Sequence, residues 1–219
     1  MKKLNDTYLM RNWYNINGVV GILTIIIAII LWKEMSLLQG LAVLNFGVLN
    51  LHVFEEFRLP GGFPKFANTM FAMKDSPHPD RYPLNRMSAL LTNWITALVL
   101  YLPSIIWPDA IWFGLAPILF GGAAQLLMHG VYNNILLKRF YNAGLCAVVF
   151  GHVPIMIVYI HYIVTHNMVT AWDWVWGVAI MVVWYIVGVR LIINKAFEDI
   201  NSPYPFNEEE MRRFKAPQK

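Results

Sequence analysis

Six apolar stretches, each long enough to cross a bilayer, constrain this chain more than any other feature, because the charges fall in the gaps between them or near their ends. The stretches fall near residues 13–32, 36–57, 88–107, 110–137, 143–164 and 172–193. Crossing hydrocarbon takes about 20 apolar residues in a helix, and only helices and closed barrels satisfy their backbone groups there. With 58% hydrophobic and 14% charged residues, the chain carries more apolar surface than a soluble core hides. The expected fold class is therefore all-α: a polytopic transmembrane helical bundle with about six spans. Six spans and their connections consume nearly all 219 residues, so 1–219 reads as a single transmembrane domain. The opening apolar run lacks a small-residue cleavage site, since Trp32, Lys33 and Glu34 follow it directly, and it reads as an uncleaved first span.

Alternating topology predicts that Lys and Arg gather on one side. With the N-terminus inside, every Lys and Arg except Lys33 falls in an inside segment. By the positive-inside rule both termini are then expected on the cytoplasmic side of a cell membrane. The same asymmetry accounts for the net charge of +4 through contact with anionic lipid, so no nucleic-acid partner is needed to explain it. Trp13, Trp32, Trp107, Trp112, Trp172 and Trp174 sit where interfacial aromatic belts are expected.

One cytoplasmic connection, 58–87, is much longer than the rest and is rich in Phe, Met, Pro and Gly. Long connections are usually functional or disordered. The apolar content of 60–73 predicts a lid on the membrane surface, and the stretch 195–219 reads as a polar cytoplasmic tail. The single Cys146 is expected to be a small core residue, with no disulfide partner.

The chemistry-bearing residues cluster at the inner end of the bundle. His52, Glu55 and Glu56 occupy i, i+3 and i+4, one helical face at the end of the second span. Two carboxylates at a helix C-terminus oppose the macrodipole by about 0.3–1 kcal/mol apiece unless a cation or donor compensates. Arg58 is the expected cation, and a metal is the alternative. In the fourth span Gln125, His129 and Asn133 form a polar stripe at i, i+4 and i+8, with Asn93 at a similar depth in the third. Ionisable groups inside a membrane are costly and read as functional by default.

Two histidines and carboxylates from two helices form a ligand set for Zn, Fe or Mn, so His52, Glu56 and His129 are the expected ligands of a divalent metal. The candidate catalytic residues are His52, Glu55, Glu56 and His129, with Glu55 or Glu56 as general base. Asn93, Gln125, Asn133 and Arg58 are expected to bind substrate.

The run His52-Val53-Phe54-Glu55-Glu56, continued by Phe57-Arg58-Leu59-Pro60-Gly61-Gly62-Phe63-Pro64, resembles the signature of the HXXEE domain family of small prokaryotic integral membrane proteins. A second element, His129-Gly130-Val131-Tyr132-Asn133, and the turn Tyr141-Asn142-Ala143-Gly144-Leu145 are similar to its pattern, although Ala143 stands where Pro is expected. The resemblance covers most of the chain. It implies a shared site drawn from His52, Glu55, Glu56, His129 and Asn133, with no substrate attached.

The leading expectation is a membrane-embedded enzyme whose partners are membrane lipids and an amphiphilic or small-molecule ligand reached from the cytoplasmic leaflet. Two alternatives stay open: a proton-coupled carrier, and a haem protein using His52, His129 or His152. Transporters usually keep their sites near the midplane and show repeated halves. Here the polar groups lie toward one leaflet and no repeat is visible.

Overall fold

A computed structural model describes residues 4–71 and 76–214. Among them there is no strand, and six helices are long and apolar enough to cross a membrane: Tyr8–Ile30, Leu37–Phe57, Arg86–Ile106, Ile111–Leu137, Leu145–Thr165 and Ala171–Phe197. They are numbered one to six below. These are the helices of a multi-pass membrane protein. Their ends follow local signals that apolar content does not carry. Helix one starts earlier than expected because Thr7 caps it, accepting a hydrogen bond from the Met10 amide. Helix three starts at a capping box in which Asn85 and Ser88 satisfy each other's amides.

Helix two lies at the centre of the bundle. Helix one crosses it where Gly21 approaches the Gly47 carbonyl and Gly18 faces Phe54; side chains at these glycines would meet the partner helix within 3 Å. Small residues at such crossings let backbones approach in lipid, where the hydrophobic effect does not drive helices together. Polar bonds complete the contact. Asn17 donates to Asn50 at 2.8 Å, and the Trp94 indole donates to Asn17 at 2.8 Å, tying helices one, two and three. Helix five packs on helix two where Gly151 meets Val48.

Helices three, four, five and six each contain wider π turns. Two have a visible cause. Pro103 and Pro154 closely follow the π segments Ala97–Tyr101 and Val148–His152, and each ring crowds the carbonyl four residues back, which lies inside the segment. Both His129 and His152 sit in π-wound turns, which often occur at functional sites.

Residues 63–71 of the long connection are helical, and their aromatic side chains bridge helices. Phe63 packs on Phe57 at 5.7 Å between ring centroids, and Phe71 on Tyr132 of helix four at 5.7 Å. Met73, at the far end of the expected lid, lies outside the described residues. The tail differs from its polar reading. Phe206 is buried among Trp13, Val53 and Phe57, and Glu210 pairs with Arg86 at 2.6 Å with both side chains buried. The reason is that the three acidic residues at 208–210 start a short helix capped by Asn207. That helix turns one of them inward toward a buried arginine.

Candidate metal centre

Helices two, four and five bring their chemistry together at the same end of the bundle. His52 and Glu56, one turn apart, face His129 of helix four, and all three are buried. The ligand atoms of these three residues lie within 4.8 Å of one another. Glu56 Oε1 is 3.6 Å from His52 Nε2 and 3.5 Å from His129 Nε2. The imidazole rings meet edge to face at 4.9 Å.

What fixes the rings is the turn between helices four and five. The Gly144 carbonyl accepts from His52 Nδ1 at 3.1 Å, and since a carbonyl only accepts, this nitrogen carries the proton. Asn142 does the same for His129. Its Nδ2 donates to the His129 and Asn134 oxygens, both at 2.7 Å, which leaves Oδ1 to accept from His129 Nδ1 at 2.7 Å. With Nδ1 so engaged, the Nε2 atom of each ring faces the Glu56 carboxylate. Gly144 has no alternative here. Its φ is +103°, and a Cβ would sit 2.5 Å from His129 Cε1 and 2.8 Å from His52 Cε1.

Three acceptors facing one another repel unless a cation lies between them. The separations from the carboxylate are compatible with a metal ion. Donor–acceptor distances of 3.5–3.6 Å are long for hydrogen bonds. Two ligands on one ion at about 2.1 Å and tetrahedral angles are about 3.4 Å apart. Each imidazole donating its far nitrogen to a backbone or amide oxygen is the usual support of a metal-ligating histidine. The residues present therefore fit a metal ion, with His52, Glu56 and His129 as its ligands.

Glu55, adjacent in sequence, does different work. Its carboxylate accepts from the Tyr141 hydroxyl at 2.8 Å, the Cys146 amide at 3.0 Å and the Ala147 amide at 2.8 Å. Helix five begins at Leu145 with Gly144 as its N-cap, which has no side chain to offer. Glu55 thus supplies the cap from another helix and places a negative charge at the positive end of the dipole. Burial first, and then the Glu55 carboxylate, push the Tyr141 hydroxyl above its ordinary range.

The other expected site residues divide. Asn133 is buried one turn beyond His129, and its Oδ1 has no hydrogen-bond partner. Gln125 is half-buried one turn before His129, at the joint between two π-wound segments. Asn93 donates its amide to Ala89 O of its own helix at 2.9 Å. Arg58 does not compensate Glu55 or Glu56. It lies past the end of helix two and pairs with the exposed Glu209 at 2.8 Å. Cys146 is exposed, not core, since it opens helix five at the bundle's end. His152 is buried beside His52, with ring centroids 6.0 Å apart and its Nδ1 2.7 Å from Asn45 Oδ1.

Sequence reasoning assigned no role to Tyr141, Asn142 or Gly144. A signal was present, since an Asn and a Gly directly before an apolar run mark a turn into a helix. Comparison with curated proteins and with solved structures finds no match. The family described as "Protein of unknown function with HXXEE motif" matches residues 43–159. That stretch holds His52, Glu55, Glu56, His129, Asn142 and Gly144, more than half the chain lies within it, and the chain belongs to this family.

Proposed function

We propose that this protein is a membrane-embedded metalloenzyme in which His52, Glu56 and His129 hold one divalent ion at the cytoplasmic end of the bundle. The observation that carries the reading is the pair of Nδ1–H groups donated to Gly144 O and Asn142 Oδ1. They turn both Nε2 atoms toward Glu56 Oε1. Three protein ligands leave a coordination position open, the arrangement of catalytic sites, whereas structural sites are closed by a fourth. When bound, such an ion acts as a Lewis acid and lowers the pKa of a coordinated water. Zn, Fe and Mn suit two imidazoles and a carboxylate.

The chain's own residues supply the rest. Glu55 anchors the turn that orients both histidines and is fully engaged there, so Glu56 is the carboxylate available to the site. Asn133, with its buried unpartnered Oδ1, is the group positioned to accept a hydrogen bond from substrate. The basic residues at this end of the helices favour a cytoplasmic location, and a substrate that is small or amphiphilic and enters from that leaflet. A haem between His52 and His129 is disfavoured, since edge-to-face rings at 4.9 Å leave no gap for a macrocycle.

Elemental analysis of the protein purified without chelators tests this. One equivalent of a transition metal is expected, lost in Glu56→Gln and His129→Ala and kept in Glu55→Gln. Wild-type protein that is metal-free and takes up none of Zn, Mn or Fe would overturn the reading.

A further inference from the structure

Helix two ends with a problem that its neighbouring residues solve only in part. The Arg58 and Leu59 amides reach the Phe54 carbonyl and the Gly61 amide reaches the Glu55 carbonyl at 3.0 Å, but Glu56 adds negative charge where the dipole is already negative. The compensating cation comes from 156 residues later in the chain: Arg213 Nη1 donates to the Phe57 carbonyl at 2.7 Å. Its side chain is 13% exposed, well buried for a guanidinium so near a chain end.

The segment that delivers Arg213 is anchored along its length. Asn207 caps its short helix, and Glu210 pairs with Arg86 in the interior. Phe206 lies on Phe57, and Phe214 lies on Phe66 of the long connection. Glu209 joins Arg213 to Arg58 across the outer surface. The Pro-Gly-Gly turn after the motif is shaped to receive this segment. Gly61 and Gly62 have φ of +76° and +98°; a Cβ on the first would sit 2.8 Å from Arg213 Cδ and on the second 3.0 Å from Phe214 Cα.

We infer that residues 207–214 form a strap that sets the last turn of helix two, with Arg213 as a positioning residue for Glu56. The inference rests on the metal-centre reading for its consequence, but the strap's hold on the helix does not depend on metal. Without Arg213 the Phe57 end of helix two frays and Glu56 shifts with it, while Glu55, held by Tyr141 and the first amides of helix five, and His52, a full turn earlier, keep their bonds. The carboxylate ligand therefore loosens before the histidines do. The strap lies outside the family-matched stretch 43–159, yet it closes over the motif's own continuation.

The test uses full-length Arg213→Ala and Arg213→Lys, with amide exchange across 54–62 and titration with Co²⁺, whose visible spectrum reports its ligands. Arg213→Ala is expected to speed exchange across 54–57, alter the Co²⁺ spectrum and weaken Co²⁺ binding by roughly tenfold, as loss of outer support does. Arg213→Lys, which keeps the charge and a donor group, is expected to reverse most of all three effects. Phe214→Ala is expected to show a milder form of the same pattern, and it serves if Arg213→Ala does not fold. Unchanged exchange across 54–57 in folded Arg213→Ala would overturn the strap. If wild type binds no Co²⁺, the metal reading fails and the exchange result alone decides the strap.

Discussion

Helices two and six are both apolar enough to cross a membrane, yet they lead opposite lives. Helix six is the more hydrophobic, at a mean hydropathy of 2.1 against 1.6, but only 22% of its most apolar window is buried, against 67% for helix two. In water the order would be reversed. In lipid, apolar surface gains nothing by leaving hydrocarbon, so the centre goes to the helix that lipid cannot satisfy. Helix two carries Asn45, Asn50, His52, Glu55 and Glu56, all buried, and its Gly47 lets helix one approach closely. Helix six turns Val175, Trp176, Val183, Ile186 and Leu191 outward.

That contrast should break most severely at Gly144, where helix two's histidine meets the turn from helix four. Gly144→Val forces a β-branched residue into left-handed backbone and into both rings. A loss of about 3 kcal/mol or more is expected, together with the metal, read by thermal unfolding in detergent and elemental analysis. Next comes Glu55→Ala, which leaves two amides of helix five without their acceptor and should cost about 2 kcal/mol. A stability loss in Glu55→Gln as large as in Glu55→Ala would show that charge, not hydrogen bonding, is what helix five needs.

On helix six the same kind of change should be nearly silent. Leu191 is 62% exposed, and Leu191→Ala should shift stability by about 0.5 kcal/mol or less in the same melts. A loss near 2 kcal/mol would mean that helix six faces protein, as in an assembly of several chains. The smallest effect is expected at the strap. Arg213, then Arg58, hold the exposed Glu209 carboxyl below its ordinary value of about 4.5. A group lowered in the folded state adds stability above its unfolded pKa and loses it as the pH falls through the folded one. The strap's hold should thus be constant near neutrality and weaken only below about 4.5, faintly, since Glu209 is open to solvent. Amide exchange across 207–214 measured down the acid range checks this, and loosening near pH 6 would implicate another group.

Much of the fold was legible because its signals are local and additive. Apolar length alone located six helices to within a few residues, and i, i+3, i+4 spacing placed His52, Glu55 and Glu56 on one face. The polar stripe at the same depth in the fourth span, and the chemistry of a ligand set, paired them with His129. The legible part of the site stopped at its supports. Asn142 and Gly144 act through a hydrogen bond and a backbone carbonyl, and neither residue type announces that role in a sequence. The direction in which Asn93 points was not legible for a related reason: depth along a helix can be read from the chain, but the direction of a side chain around a packed helix cannot.

The sequence by itself determined how many helices cross and which residues form the His/Glu motif, because hydropathy and helical periodicity depend only on near neighbours. Tertiary structure alone decided which of two adjacent carboxylates does what. Successive residues on a helix point about 100° apart, so Glu56 meets His129 while Glu55 meets the start of helix five. It also decided that Arg213, and not the adjacent Arg58, completes helix two. Which cation reaches a helix end depends on where the rest of the chain packs, and sequence distance does not measure that.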